Sequence, residues 1–441
     1  MVEKKRDLID IIKEAGVVGA GGAGFPTHIK YSTEVEYVIA NGAECEPLLR
    51  VDQQLMDKYA NEIIQALLAV KERVKAKEAM VGLKSKYKDA IRSLKKASKD
   101  RVRLHLLENV YPAGDEHILL YDMTKRIVPE GGIPLQVGAV VSNVATLLWV
   151  YEAMNGKPVT DRWLTVTGEV NKPQTIKVPI GTTVRDVLEF CGRVKIKDFK
   201  VIVGGPIMGG LAESIDQGIL KTTSAIIVLP KDHYAVSYKY FDLNLHIKTS
   251  KAACCQCTFC TSICPRNLIG HSIEPHKIMR GISFGVNTAV KDATLAFLCC
   301  ECQLCYFACP MNLAPGRINA LLKQELTKKG IKNPHNLKHN RAHIIREYRL
   351  QPLKRLIVKL GLTDYDVDAP ISDETFLPKR VKISLKQHFG KSAVCVVKEG
   401  AKIKRGDVIG EAAEGISARV HSSIDGIVKS TQGDEVIISS G

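Results

Sequence analysis

Cys254-Cys255-Gln256-Cys257-Thr258-Phe259-Cys260-Thr261-Ser262-Ile263-Cys264-Pro265 is matched, cysteine for cysteine, by Cys299-Cys300-Glu301-Cys302-Gln303-Leu304-Cys305-Tyr306-Phe307-Ala308-Cys309-Pro310. The two runs hold ten of the chain's 13 cysteines. Each contains C-x2-C-x2-C-x3-C-P, the run by which thiolates wrap a [4Fe–4S] cube. Three cysteines at this spacing turn tightly around one cluster, and the proline carries the fourth away to the other. Cys254, Cys257, Cys260 and Cys309 are therefore expected at one cluster, and Cys299, Cys302, Cys305 and Cys264 at the second. Cys255 and Cys300 occupy equivalent places in both runs. They either replace Cys254 and Cys299 as ligands or stand as buried thiols, and burial is the preferred reading. A disulfide framework suits small secreted chains, and zinc sites more often use two separated cysteine pairs. Single-electron transfer is the expected chemistry.

The chain has 441 residues, enough for three or four domains with their own cores. Lys plus Arg exceeds Asp plus Glu by 63 − 47 = 16, which favours acidic partners in general. Much of the excess lies in 71–103 and 323–359, where it reads as solvated helix faces. Aromatics are not interleaved with these basic runs, so nucleic-acid binding is not expected. The N-terminus, MVEKKRDLIDIIKEAG, reads as a charged amphipathic helix and not as a signal peptide. The longest uncharged stretch, 131–151, holds Pro134, Gln136, Ser142 and Asn143. It reads as strand, turn and buried helix, not as a membrane span. Free thiols and oxygen-sensitive clusters imply a reducing cytoplasm.

Outward from the cysteine runs, four segments are expected. Residues 1–158 alternate helix and strand patterns, with Leu55, Tyr59, Ile63, Leu67, Val70 and Val74 as a helical stripe and Val35–Ala40 as a buried strand. This predicts an α/β domain. Residues 159–235 carry short β segments and a helix, Val184–Cys191, in the order of a β-grasp unit. Residues 236–365 form a helical two-cluster, ferredoxin-like domain. Residues 366–441 return to short strands with glycine turns, a small β domain.

Gly19-Ala20-Gly21-Gly22-Ala23-Gly24 matches G-x-G-x-x-G by string. A Rossmann fingerprint needs a strand before the glycines, whereas here a helix, Leu8–Ala15, is expected. Glycines still let backbone N–H groups approach a phosphate closely. The longer string Gly19–Lys30, GAGGAGFPTHIK, is followed by Asn41-Gly42-Ala43-Glu44-Cys45-Glu46-Pro47. Together they resemble the flavin-binding subunits of respiratory complex I and, more closely, the C subunits of Rnf electron-transport complexes.

That resemblance implies an FMN- and NADH-binding domain. Gly19, Gly21, Gly22 and Gly24 would cradle the FMN phosphate or ribityl chain, with Lys30 nearby. Asn41, Glu44 and Glu46 would line the flavin and the nicotinamide approach. Tyr111, Gly114, Asp115 and Glu116 stand where complex I has a Gly-Glu-Glu run, from which Asp115 departs. Asn143 and Thr146, in SNVAT, match the segment that closes over the flavin. Residues 161–229 resemble the family's soluble-ligand-binding β-grasp domain and 377–441 its barrel-sandwich domain. The sandwich precedes the glycine-rich domain in Rnf C subunits but follows the clusters here. This order and the length resemble the cobalamin reductases of propanediol-utilisation microcompartments. The sandwich is also similar to lipoyl carriers, but Lys402 and Lys404 in AKIKRGD lack the usual setting, and a structural role is expected.

The implied route runs from NADH to FMN, to two [4Fe–4S] clusters, and to an external acceptor. The cofactors carry the chemistry, so no catalytic acid or base is expected. By resemblance the acceptor is a corrinoid, reduced from cob(II)alamin to cob(I)alamin for an adenosyltransferase, in a cytoplasmic microcompartment whose shell is a further partner. His271 and His276 read as ordinary polar residues and not cobalt ligands. Two other readings are an Rnf-type component donating to a protein partner and a non-enzymatic electron carrier.

Overall fold

The alternating apolar runs of the first third form a parallel sheet. The computed structural model describes residues 6–284 and 292–440. Strands Arg103–Leu107, Glu78–Lys84, Tyr37–Gly42 and Ala139–Asn143 lie side by side in that order, every pair parallel. Side chains alternate between the two faces. Val38, Ala40, Val81 and Val140 face the helices Ala60–Arg73 and Val144–Met154, whereas Ile39, Met80 and Val141 face Glu116–Thr124. The chain winds outward from Tyr37–Gly42 and then returns to its other side. The winding direction thus reverses between Tyr37–Gly42 and Ala139–Asn143, leaving a crevice at the carboxyl ends of these strands. Asn41 and Asn143, register partners in the sheet, stand at that crevice.

Two local expectations shift. The stripe expected on one helix is divided between Val51–Lys58 and Ala60–Arg73, because Tyr59 (φ −118°, ψ 33°) leaves helical geometry. The strand expected at Val35–Ala40 runs Tyr37–Gly42, since the Val35 N–H donates to Val74 O, off the sheet. The helix before the glycines forms at Leu8–Glu14, capped by the Asp7 carboxylate on the Ile9 N–H.

The β-grasp expectation is met by strands Gln174–Pro179, Asp161–Gly168, Ala225–Pro230, Phe199–Val203 and Gly210–Leu211 in that order. The central pair, Asp161–Gly168 and Ala225–Pro230, is parallel, and the outer pairs are antiparallel. Thr183 caps the helix Val184–Phe190 by accepting from the Asp186 N–H. Short helices then carry the cysteine runs around a core of Ile273, Ile278, Met279, Leu298, Leu313 and Ile318. This unit is strapped back by Gln351–Pro352, which pairs antiparallel with Val110–Tyr111.

The C-terminal β unit has two small sheets. Its Val381, Ile383, Ile409, Val428 and Ile438 share one continuous core with the helices Ala60–Arg73 and Val144–Met154, so it is not a free carrier module. Among the described residues no helix is long and apolar enough to cross a membrane.

Candidate flavin and iron–sulfur sites

The glycine loop closes on itself without a preceding strand of the sheet. Val18 and Pro26 form an isolated bridge, and the Gly19 N–H donates to Phe25 O at 2.9 Å. The Ala20 N–H donates to Thr146 Oγ1 at 2.8 Å, pinning the loop to the first turn of Val144–Met154. Gly21 lies against Asn143, whose Cβ is 3.4 Å from where a Gly21 Cβ would sit. Gly22, at φ +109°, would meet no atom within 4 Å with a Cβ. Gly24 differs. At φ +64° it packs between Thr222 and His388, and its carbonyl accepts from the Phe389 N–H at 2.9 Å. Gly21 therefore faces the crevice at Asn143, Gly19 packs within the loop, and Gly24 seats the loop on the C-terminal β unit.

Around this loop the expected residues converge at the strand ends. Lys30 Nζ donates to Val141 O at 2.7 Å and lies 3.5 Å from the Glu116 carboxylate. Asn41 Nδ2 donates to Gly114 O at 2.8 Å, and its Oδ1 accepts from the Ala43 N–H. Asn143 caps its helix through Oδ1 and donates through Nδ2 to Asp52 Oδ2 at 2.7 Å.

A buried charge cluster lies beside them, in which the sequence pointed to Glu44 but not to Asp52, Arg162 or Lys84. Burial, and then the neighbouring Asp52, push the Glu44 carboxyl up to about 8, and burial raises Asp52 to about 6. Arg162 donates to Thr223 O at 2.6 Å and to Ala20 O at 2.9 Å, and burial lowers it to about 10. Burial likewise lowers the fully buried Lys84 to about 8. Glu44 Oε2, Arg162 Nη1 and Lys84 Nζ are buried with no hydrogen-bond partner in the protein. Orphaned polar atoms of this kind call for a polar occupant. Together with a glycine loop offering backbone N–H groups, they fit a phosphorylated, heteroaromatic ligand.

Other expected residues point elsewhere. Glu46 accepts from the Ile207 and Met208 N–H groups at 2.8 and 2.9 Å, clamping the β-grasp loop. Burial nonetheless raises its carboxyl. Tyr111 Oη donates to Cys302 O at 3.0 Å and lies 3.4 Å from Glu46. Asp115 caps Glu116–Thr124 through the His117 and Ile118 N–H groups and pairs with Arg266 at 2.8 Å. Burial alone would raise Asp115, but Arg266, His117 and the helix N–H groups hold it below its usual value. Three residues expected at the flavin thus form the seam between the flavin side and its neighbours.

The two cysteine runs fold alike. Gln256 and Thr258 in the first, and Glu301 and Gln303 in the second, take left-handed backbone at φ 54°, 63°, 60° and 60°. Four non-glycine residues in this region at matched positions mark a turn held for function. The first run surrounds a small cavity of about 30 Å³, lined by Cys254, Cys257, Cys260 and the distant Cys309. Burial, and then Cys309 and Cys257 nearby, push Cys260 up to about 12. Cys264 instead lies buried with the second run. It raises the thiol of Cys302, after the larger effects of the Cys300 hydrogen bond and burial, and that of Cys305, after burial and Cys299. Each fourth cysteine has crossed over.

Cys255 is exposed at the rim of the first cavity, against the burial preferred from sequence, because it turns outward as Cys254 turns in. Cys300 is half-buried beside Arg266 and Cys302. Among the described residues no three His, Cys, Asp or Glu are arranged for one metal ion. A cube differs, since each thiolate takes its own iron, and matched turns bringing four thiols to one cavity fit it. His276 Nδ1 shares a hydrogen bond with Thr261 Oγ1 (2.7 Å) and His271 Nε2 donates to Val128 O (2.9 Å).

Four segments of the chain match known domain families. Residues 12–152 match the Nuo51 FMN-binding domain, 164–209 the SLBB domain, 253–314 the 4Fe-4S dicluster domain and 365–440 the RnfC barrel sandwich hybrid domain. Cobalamin reductase PduS of Salmonella typhimurium is 40% identical over 99% of this chain and 97% of its own length. The chain belongs to the PduS cobalamin reductase family. PduS of Citrobacter freundii is also 40% identical, over 98% of the chain and 96% of its length. The C component of the proton-translocating ferredoxin:NAD(+) oxidoreductase complex of Clostridium ljungdahlii is 36% identical over 60% of the chain and 56% of its own length. The family member is a flavin and iron–sulfur electron-transfer oxidoreductase.

Proposed function

We propose that this chain carries electrons from NADH through FMN and two [4Fe–4S] clusters to a corrinoid, reducing cob(II)alamin to cob(I)alamin in a bacterial microcompartment. The observation that carries it is the crossing of Cys309 to the Cys254, Cys257 and Cys260 cavity while Cys264 joins Cys299, Cys302 and Cys305. Those two sets would hold the clusters. Gly19, Gly21 and Gly22, with Ala20 fixed by Thr146, would receive the flavin's phosphate side, and Asn41, Glu44 and Asn143 its ring side. When bound, FMN accepts an electron pair and releases it singly to the clusters.

The chain's own residues position and insulate. Neutral Glu44 avoids placing a bare charge in the crevice at neutral pH, and the Glu46 clamp holds the β-grasp loop over its edge. The acceptor is supported by the cobalamin reductase name of the full-length relatives. An adenosyltransferase would consume the cob(I)alamin, and a shell protein is a further partner. The test is an anaerobic absorption spectrum of the iron-reconstituted, FMN-loaded protein as NADH is added. Bleaching of both flavin and cluster bands is expected. Intact bands in the presence of both cofactors would leave a carrier without NADH oxidation.

A further inference from the structure

The two cysteine sets are not equivalent in burial or neighbours. Cys264, Cys302 and Cys305 are each only 8% exposed. Their side of the unit is the side docked on the flavin segment. Tyr111 reaches Cys302 O, Asp115 pairs with Arg266 two residues after Cys264, and His271 reaches Val128 O. Asp115 adjoins Glu116, which pairs with Lys30 at the crevice, and Gly114 accepts from Asn41. The other set looks outward. Its cavity opens to solvent past exposed Cys255, and Phe259 and Met311 beside it are 53% and 45% exposed. The short helices Phe259–Ser262 and Leu304–Ala308, which carry Cys260 and Cys305, pack against each other, so the two sets adjoin.

We infer that the sets act in a fixed order. The Cys264, Cys299, Cys302 and Cys305 set receives electrons from the flavin, and the Cys254, Cys257, Cys260 and Cys309 set delivers them to the corrinoid at the Phe259–Met311 mouth. The order rests on the function proposed above and deepens it. An electron leaving the inner set has protein on the flavin side and the second set on the other; of its four thiols only Cys299 is half-buried, whereas all four thiols of the outer set are. The exposed rim of the mouth holds Phe259, Pro310 and Met311, and no carboxylate lines the cavity behind it, a surface suited to the apolar face of a macrocycle. Electrons balance. Each NADH gives two electrons and one proton, leaving NAD⁺, and two cob(II)alamins each take one electron.

The test compares Cys257→Ser with Cys302→Ser by freeze-quench EPR, each with one cluster remaining. In Cys257→Ser, NADH should still reduce the remaining cluster within about threefold of the wild-type rate, while cob(I)alamin formation falls at least about tenfold. In Cys302→Ser, dithionite should reduce the remaining cluster but NADH should do so at least about tenfold more slowly. The reverse pattern would overturn the order. Should either variant fail to assemble, Met311→Glu keeps both clusters. It should slow cob(I)alamin formation more than NADH-driven cluster reduction, and slowing of both alike, or of neither, would overturn the exit. Failure of NADH to reduce the wild type would instead sink the functional reading, and photoreduced flavin would then drive the same comparison.

Discussion

The hydroxyl of Tyr111 donates to the backbone carbonyl of Cys302 at 3.0 Å, joining a strand of the flavin segment to the buried cysteine set. The same hydroxyl lies 3.4 Å from Glu46, itself fixed to the β-grasp loop. One phenol thus ties three parts of the chain at the point where the redox centres would approach.

Tyr111→Phe should leave the Cys302 carbonyl buried without its donor, at a cost of roughly 1 to 3 kcal/mol. Urea denaturation of the cofactor-loaded protein measures it. Flavin content should change little, because the hydroxyl touches no crevice residue other than the already clamped Glu46.

Asp115 and Arg266 form a buried pair at 2.8 Å, with side chains 14% and 11% exposed. Asp115→Asn strands the guanidinium and should destabilise by about 3–5 kcal/mol. Adding Arg266→Met should recover part of that loss, because the stranded charge is removed. A double-mutant cycle in urea checks the sign of the coupling.

How far the sequence could be read depends on how local each interaction is. The crossing of Cys264 and Cys309 was legible because the C-P step sits inside the run itself. The α/β and β-grasp patterns were legible from apolar periodicity. Arg162, Lys84 and Asp52 were not, since a single charged residue at the end of an apolar run reads as solvated. Glu46 was expected at the nicotinamide, but its partners Ile207 and Met208 lie more than 160 positions on. Only the folded chain brings them together.

Lys221 is buried and donates from Nζ to Gly16 O at 2.7 Å and Arg419 O at 2.9 Å, pinning the flavin segment to the C-terminal β unit. Burial lowers it from 10.5 to about 7. Between those values the unfolded chain binds more protons, so this group makes stability rise with pH. Lys221→Met leaves two carbonyls without a donor, at about 1–3 kcal/mol each. The variant's deficit should shrink as pH falls from 10 toward 7, a trend that thermal denaturation across pH reads directly.

Gly24→Ala places a side chain at φ +64°, 3.0 Å from Thr222 Cγ2. Left-handed strain adds about 1–3 kcal/mol. Moving the loop off its seat should weaken FMN binding, measured by fluorescence titration of the flavin-free protein. Gly22→Ala should lose stability too, because φ +109° is strained for an L residue although its Cβ would meet no atom within 4 Å.

The central claim is that electrons entering from NADH leave onto a corrinoid. It is tested most directly by stopped-flow absorbance of the reconstituted protein mixed anaerobically with NADH and cob(II)alamin. Cob(I)alamin should appear after the flavin and cluster bands bleach, at up to two per NADH consumed. Bleaching of those bands with cob(II)alamin left unreduced would contradict it and assign the electrons to a protein acceptor.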